Sequence, residues 1–267
     1  MKKIFSKSQS LLPRVVATIL FVGSLIINGL AGTTILGGNT TAQVSDSFPN
    51  LFAPAGITFA IWGVIYLLVA AYCVRQFVGR DKKANGLIKK ITPHFILLNA
   101  LNMAWLLAWQ YKVIWLSVLL IVAMLVVLVQ INDRTKSVQL NRTDSALIRL
   151  PFQVYFGWLT VATIANITTW LVSIGWERWG QPEEFWMLVI LIVGAIVGIV
   201  AALNLKSIAY IGVFIWAYFG IMLKHILPEY FDYKHPSVVL AVMLLIGTFA
   251  LTAIMIYSRR NTEAKLR

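Results

Sequence analysis

The sequence predicts an all-α integral membrane protein with about eight transmembrane helices. Hydrophobic residues make up 59% of the chain and charged residues only 12%, whereas a soluble domain is about half apolar and a quarter charged. The mean hydropathy is +0.80. A helix needs about 20 mostly apolar residues to cross the hydrocarbon core of a bilayer. Such runs occur at about 15–36, 53–74, 92–110, 113–132, 148–173, 185–205, 207–226 and 236–257.

The first of these runs has two interpretations. It follows Lys2, Lys3, Lys7 and Arg14, as the apolar segment of a signal peptide follows its basic residues. Its apolar stretch is long, however, and no small-x-small cleavage site ends it. We therefore expect this segment to be retained as the first helix.

The basic residues are distributed unevenly between the loops. If the N-terminus is inside, only four of the 23 lysines and arginines fall outside, namely Lys112, Arg178, Lys224 and Lys234. Cytoplasmic loops of membrane proteins carry such an excess of positive charge. The bias predicts that both termini are cytoplasmic and that the loop 37–52 is outside. It also accounts for the net charge of +13 with the lipid bilayer as partner and without nucleic acid.

The predicted spans lack ionisable groups at mid-depth. All ten acidic residues fall in predicted loops, and no lysine or arginine lies at the centre of a span. Ion-coupled carriers and pumps usually carry such groups within the membrane, so the sequence argues against those classes. The single cysteine and three scattered histidines give no metal-site pattern. We predict no metal site, no catalytic residue and no required cofactor.

The fifth span has two different faces. At 100° per residue, its polar and aromatic side chains fall within an arc of about 140°. They are Tyr155, Trp158, Ala162, Thr163, Asn166, Thr169 and Trp170. The other side resembles a lipid-facing surface, interrupted by Gln153, Thr160 and Thr168. Its apolar residues are Val154, Val161, Ile164, Ala165, Ile167, Leu171 and Val172.

The second and third spans repeat this pattern. Thr58, Trp62 and Tyr66 follow one another at four-residue intervals, and the third span places Asn99, Asn102, Trp105 and Trp109 in one stripe.

Two interpretations of the polar-aromatic faces are open. Asn and Thr can hydrogen-bond between helices, and tryptophans can form a belt at the membrane surface. The belt would explain Trp109, Trp115, Trp176, Trp179 and Trp186. It would not explain Trp62, Trp158 and Trp216, which lie about 15 Å from the outer surface at 1.5 Å per residue. The second interpretation is an outward-opening aromatic pocket with a few polar groups.

Three segments carry a resemblance to a known family. The segments "LPFQVYFGWLTVATIANITTW", "FAPAGITFAIWGVIY" and "NALNMAWLLAW" resemble helices five, two and three of the translocator protein family, the tryptophan-rich sensory proteins (TspO/MBR). They occur in family order, and the resemblance covers residues 15–173. The family's double proline is reduced to Pro54. The basic and tyrosine residues that follow helix five in cholesterol-binding members are absent after Leu171, so cholesterol binding is not carried over.

The resemblance implies a five-helix bundle over residues 1–180, with three added helices and a short basic cytoplasmic tail over 181–267. It implies a pocket beneath the 37–52 loop, which would be its lid, for a porphyrin-like or other flat, apolar ligand, in a protein of the bacterial plasma membrane. The residues expected to bind this ligand in a shared cavity are Thr58, Trp62, Tyr66, Asn102, Trp105, Trp158, Ala162, Thr163 and Asn166.

Four roles fit these expectations. The protein could be a ligand-binding or sensory protein, a passive carrier or exporter, an enzyme that degrades porphyrin in light, or a structural partner of another membrane complex. In the sixth span, Gly194-x-x-x-Gly198 is a small-residue ridge that permits close helix packing. It predicts either docking of the added helices or a homodimer.

Overall fold

The computed structural model describes residues 2–79 and 81–265, with side chains for 11–79 and 81–262. Within these residues there are eight long helices apolar enough to cross a membrane, as predicted. The helices are α1 (Lys2–Ala31), α2 (Ile61–Phe77), α3 (Lys82–Gln110), α4 (Ile114–Lys136), α5 (Leu150–Ser173), α6 (Glu183–Leu205), α7 (Ile208–Ile226) and α8 (Pro236–Lys265). Some of the basic residues counted above to orient the chain have side chains that the structure does not describe. They are Lys2, Lys3, Lys7, Arg80, Lys265 and Arg267.

Several helix bounds differ from the prediction. Helix α3 begins at Lys82 rather than near 92, because Ala84, Leu87, Ile88 and Ile91 form a buried stripe at helical spacing. The Asp81 carboxylate caps this start by accepting the Ala84 N–H at 2.7 Å. Helix α1 ends at Ala31 rather than near 36.

Short helical segments join the spans. The loop after α1 contains the helix Thr41–Asp46, and the 3-10 turn Gly56–Ala60 leads directly into α2. A π-helical turn, Ser145–Arg149, precedes α5. The predicted lid at 37–52 is therefore partly helical.

The chain forms two compact units. The first comprises residues 1–44 and 62–155, and the second comprises 45–61 and 156–267. Both units include part of α5, whereas the domain prediction placed its boundary near residue 180.

The first unit has an aromatic core near the N-terminal end of α5. Tyr72, Phe95 and Phe152 contact one another edge to face, with ring centroids 4.9–5.9 Å apart. The Arg75 guanidinium forms a buried ion pair with Asp144, in which Nε lies 2.5 Å from Oδ1. A buried pair leaves a costly charge behind if one partner is removed, so this contact ties the end of α2 to the turn before α5.

The second unit packs α6 tightly on α7. Gly194 lies against the Tyr218 hydroxyl and Gly198 against the Phe214 ring, so neither position has room for a side chain. The Tyr218 hydroxyl donates to the Leu191 carbonyl at 2.8 Å. The predicted small-residue ridge is therefore buried inside one chain, and a homodimer would need another surface.

The helical-wheel interpretation of the second face of α5 is wrong for part of that face. Val154 and Val161 were assigned to a lipid-like surface, but they are 8% and 2% exposed. Within the second unit, α7 covers the side of α5 that carries Val161, at Gly157, where the Tyr210 carbonyl and Val213 leave no room for a side chain. Thr160, which interrupted the apolar pattern, shares a hydrogen bond of 3.1 Å with the Tyr210 hydroxyl. Two residues nearer the C-terminus of α5, Ile167 and Val172, are exposed as the wheel predicts.

Candidate functional site

The nine predicted ligand residues divide between the two units. Trp62, Tyr66, Asn102 and Trp105 belong to the first unit, and Thr58, Trp158, Ala162, Thr163 and Asn166 belong to the second. Each set is described within its own unit.

The first set forms an aromatic cluster around Trp62. Its ring centroid lies 5.5 Å from Tyr66 in a stacked arrangement, 5.9 Å from Trp105 and 5.7 Å from Tyr155. Aromatic pairs at such distances contribute about 0.5–1.5 kcal/mol beyond their area burial. We call these four side chains, Trp62, Tyr66, Trp105 and Tyr155, the Trp62 cluster. Tyr155 was on the predicted polar face of α5 but was not among the predicted ligand residues.

Asn102 links this cluster to α1. The Asn102 side-chain oxygen, Oδ1, accepts hydrogen bonds from the Ser24 hydroxyl at 2.6 Å and from Asn28 Nδ2 at 2.9 Å. The Tyr155 hydroxyl lies beside the Asn102 side chain. No acceptor in the described part of the chain, however, meets Asn102 Nδ2 with hydrogen-bond geometry. The buried Asn102 amide therefore lies against the Tyr155 hydroxyl without a well-formed hydrogen bond.

The Tyr66 hydroxyl of the Trp62 cluster is also buried without a well-formed hydrogen bond to any described residue. This oxygen is buried, and among the described residues it has no hydrogen-bond partner. Buried polar groups are nearly always paired, so each exception requires an explanation. An unpaired hydroxyl within an aromatic cluster indicates a place where another molecule could supply the missing partner.

The end of α3 holds the first part of the predicted lid. The Gln110 side-chain amide donates to the carbonyls of Ala31, Leu36 and Asn39 at 2.9–3.3 Å. Gly37 has a φ of +66° and lies against the Gln110 backbone, which only a glycine permits without strain. The role of Gln110 could not be predicted from the sequence, because its hydrogen-bond partners are backbone atoms of residues far away in the chain.

Trp109 is not a belt residue. It is 5% exposed, stacks on Trp105 at 6.1 Å and donates its indole N–H to the Thr41 carbonyl at 3.2 Å. The sequence placed it at the membrane surface because it ends a span. Its buried position instead extends the Trp62 cluster towards the lid.

Four residues of the second set lie on α5. Trp158, Thr163 and Asn166 are 3%, 6% and 2% exposed, and Ala162 is half-buried. Trp158 meets the Phe59 ring edge to face at 6.0 Å. The Thr163 hydroxyl donates to the Leu159 carbonyl of its own helix at 2.7 Å.

Thr58, the remaining member of the second set, is packed on α7. It is 1% exposed, its side chain touches Gly220, and its carbonyl accepts the Trp216 indole N–H at 2.9 Å. The sequence had marked Trp216 as unusually deep for a belt residue. This bond to the turn before α2 accounts for its position.

A cavity of about 350 Å³ lies elsewhere in the second unit, at the C-terminal end of α5. Its walls are residues 49–52, the last turns of α5, the loop after α5 and the start of α6. None of the nine predicted residues, all of which lie in the described part of the chain, lines it. Two of its aromatic walls, Trp176 and Trp186, were predicted to belong to the membrane-surface belt.

A family profile described as "TSPO-like protein" matches residues 14–264. The chain belongs to the TSPO-like protein family. The match includes at least part of every one of the eight described helices, and it takes in the last three, which the sequence motifs do not reach. No curated protein and no solved structure matches the chain. This TSPO-like protein is thus a multi-pass membrane protein of a family associated with ligand binding.

Proposed function

We propose that this TSPO-like protein binds a porphyrin or another flat, apolar molecule at the Trp62 cluster. The observation that carries the proposal is the buried Tyr66 hydroxyl of this cluster, which has no hydrogen-bond partner among the described residues. An unpaired buried group costs about 1–3 kcal/mol, and a ligand with acceptor atoms would recover that free energy. The rings of Trp62 and Trp105 would contribute stacking to a flat ligand.

The second set of predicted residues enters this proposal through the family resemblance. Trp158, Ala162, Thr163 and Asn166 stand at motif positions of the fifth helix. We propose that they also contribute to ligand affinity, and substitution of each tests this independently of the Trp62 cluster.

A titration of the purified full-length protein with protoporphyrin tests the proposal by absorbance and tryptophan fluorescence. Trp62→Ala should weaken binding about tenfold or more, which corresponds to about 1.4 kcal/mol. Trp115→Ala is the matched control, because Trp115 is 57% exposed on α4 and should behave as wild type. An absence of saturable binding, or an equal loss in both variants, would overturn the proposal.

Two rival roles use the same ligand. A passive exporter would carry porphyrin across proteoliposome membranes, whereas a binding protein or sensor would not. A light-dependent degrading enzyme would bleach the porphyrin absorption band under illumination and not in the dark. Our proposal expects saturable binding with neither flux nor bleaching.

We infer that the protein lies in a bacterial plasma membrane with both termini in the cytoplasm and the 37–52 loop outside. The uneven distribution of lysine and arginine supports this orientation. Reporter fusions after residue 267 should be active only with a cytoplasmic reporter. Activity of a periplasmic reporter there would reverse the orientation.

A further inference from the structure

The cavity at the C-terminal end of α5 has a buried floor and an exposed mouth. Leu51, Phe52 and Met187 line its inner part and are 4%, 1% and 2% exposed. Glu177 and Arg178 line its mouth and are exposed. Its volume of about 350 Å³ lies in the lower part of the range for small-molecule sites, which fits a compact molecule of one or two rings.

The loop that forms one wall is held in place by four hydrogen bonds. The Leu51 N–H donates to Glu183 Oε1 at 3.2 Å, and the Leu51 carbonyl is 2.9 Å from His225 Nε2. The side-chain Oδ1 of Asn50 accepts the N–H groups of Phe52 and Ala53 at 3.0 and 2.9 Å. The wall is therefore formed in advance, and a pre-formed site binds without the cost of ordering a loop.

Three indoles contact one another beside the mouth, and two of them, Trp176 and Trp186, line the cavity. Trp176, Trp179 and Trp186 have ring centroids 5.0–5.6 Å apart. The Trp186 N–H donates to the Arg178 carbonyl at 2.8 Å and so holds a loop in which Arg178 and Trp179 have positive φ angles of 56° and 50°. Such backbone conformations cost free energy in non-glycine residues. The surrounding contacts keep the indoles at the mouth despite this cost.

The charged residues that line the whole cavity favour a cation. The lining includes two carboxylates, Glu177 and Glu183, against one guanidinium, Arg178. Carboxylates form strong hydrogen bonds to ammonium groups, and indole faces attract cations. The apolar remainder of a ligand would lie against the aliphatic side chains that line the cavity. These side chains are Leu51, Leu171, Val172, Met187 and Ile190.

We propose that this cavity is a second ligand site, for a small hydrophobic amine with an aromatic or aliphatic body. It is independent of the proposed porphyrin site, because no residue of the Trp62 cluster lines it. The ammonium group would lie among Glu177 and the indoles at the mouth, with the apolar body directed inward.

Fluorine NMR titration of the full-length protein with a trifluoromethyl-substituted benzylamine tests this site. Leu171→Phe places a larger side chain in the cavity and should weaken amine binding about tenfold or more. Leu251→Phe is the matched control, since Leu251 is 68% exposed on α8, and it should bind as wild type. Equal binding by wild type and Leu171→Phe would show that the amine binds elsewhere or partitions into detergent, and would overturn the site.

A second pair of variants tests the preference for a cation. Glu177→Gln should weaken amine binding about threefold, as expected for an exposed charge, and should leave binding of the uncharged trifluoromethyl toluene unchanged. Glu229→Gln removes the same charge from an exposed position outside the cavity and should have no effect. Equal affinity for the amine and the toluene in all variants would overturn the amine as the ligand class.

Discussion

The Trp216 indole N–H donates to the carbonyl oxygen of Thr58 at 2.9 Å. A second bond between the same segments runs from the Ala55 N–H to the Gly220 carbonyl at 3.0 Å. Helix α7 thus fixes the turn that leads into α2, and Thr58, a predicted ligand residue, is held by a helix beyond the sequence motifs. The family match over residues 14–264 is consistent with this dependence.

Trp216→Phe should lower the stability of the protein by about 1 kcal/mol, because it removes one hydrogen bond and leaves the Thr58 carbonyl without that donor. Thermal unfolding in detergent measures the change. Trp115→Phe, at an exposed position on α4, should have almost no effect. A Trp216→Phe variant as stable as wild type would show that the bond adds nothing.

Gly220→Ala should destabilise the protein by about 1–3 kcal/mol, since a new methyl group would collide with the Thr58 side chain. Gly212→Ala is the control on the same helix, because a methyl group there meets no atom within 4 Å. The double variant Thr58→Ala with Gly220→Ala should recover part of the loss. Strict additivity of the two single changes would contradict the collision as the cause.

Tyr66→Phe should separate ligand binding from stability. The Tyr66 hydroxyl has no described protein partner, so its removal should leave thermal stability unchanged or slightly raised. Porphyrin affinity should fall about three- to tenfold if the hydroxyl pairs with the ligand. Tyr210→Phe, which removes the bond to Thr160, should instead lower stability. Unchanged affinity in Tyr66→Phe would show that the ligand does not use this hydroxyl.

Removal of residues 181–267 should release the segment 46–58. Helices α6 and α7 hold this segment through Leu51, Ala55 and Thr58 and through the Lys224 ammonium, 2.7 Å from Asp46. We expect limited proteolysis to cleave the shortened chain within 46–58 and to spare the full chain there. We also expect the shortened chain to fold and to bind porphyrin, but to be less stable than the full chain. Loss of all porphyrin affinity in a folded truncated protein would show that α6–α8 help to build the site.

Much of this architecture could be predicted from the sequence. Length and hydropathy gave all eight spans, because the thickness of the bilayer fixes the length of an apolar helix. The stripes that contain Trp62 and Tyr66 on one span and Trp105 on the next were visible from helical spacing, and Trp62 does contact both other rings. The family was visible from three short motifs and is confirmed.

Only the tertiary structure decided which apolar surfaces face lipid and which face protein. Lipid chains and leucine side chains are equally apolar, so hydropathy does not distinguish the two environments. For this reason the sequence predicted that Val161 faces lipid, although α7 covers this side of α5. It likewise predicted that Trp109 is a belt residue, although Trp109 is buried against the lid. The pairing of Asn102 with Ser24 joins residues 78 positions apart. Such a bond depends on which helices become neighbours, and local spacing along one helix carries no information about that.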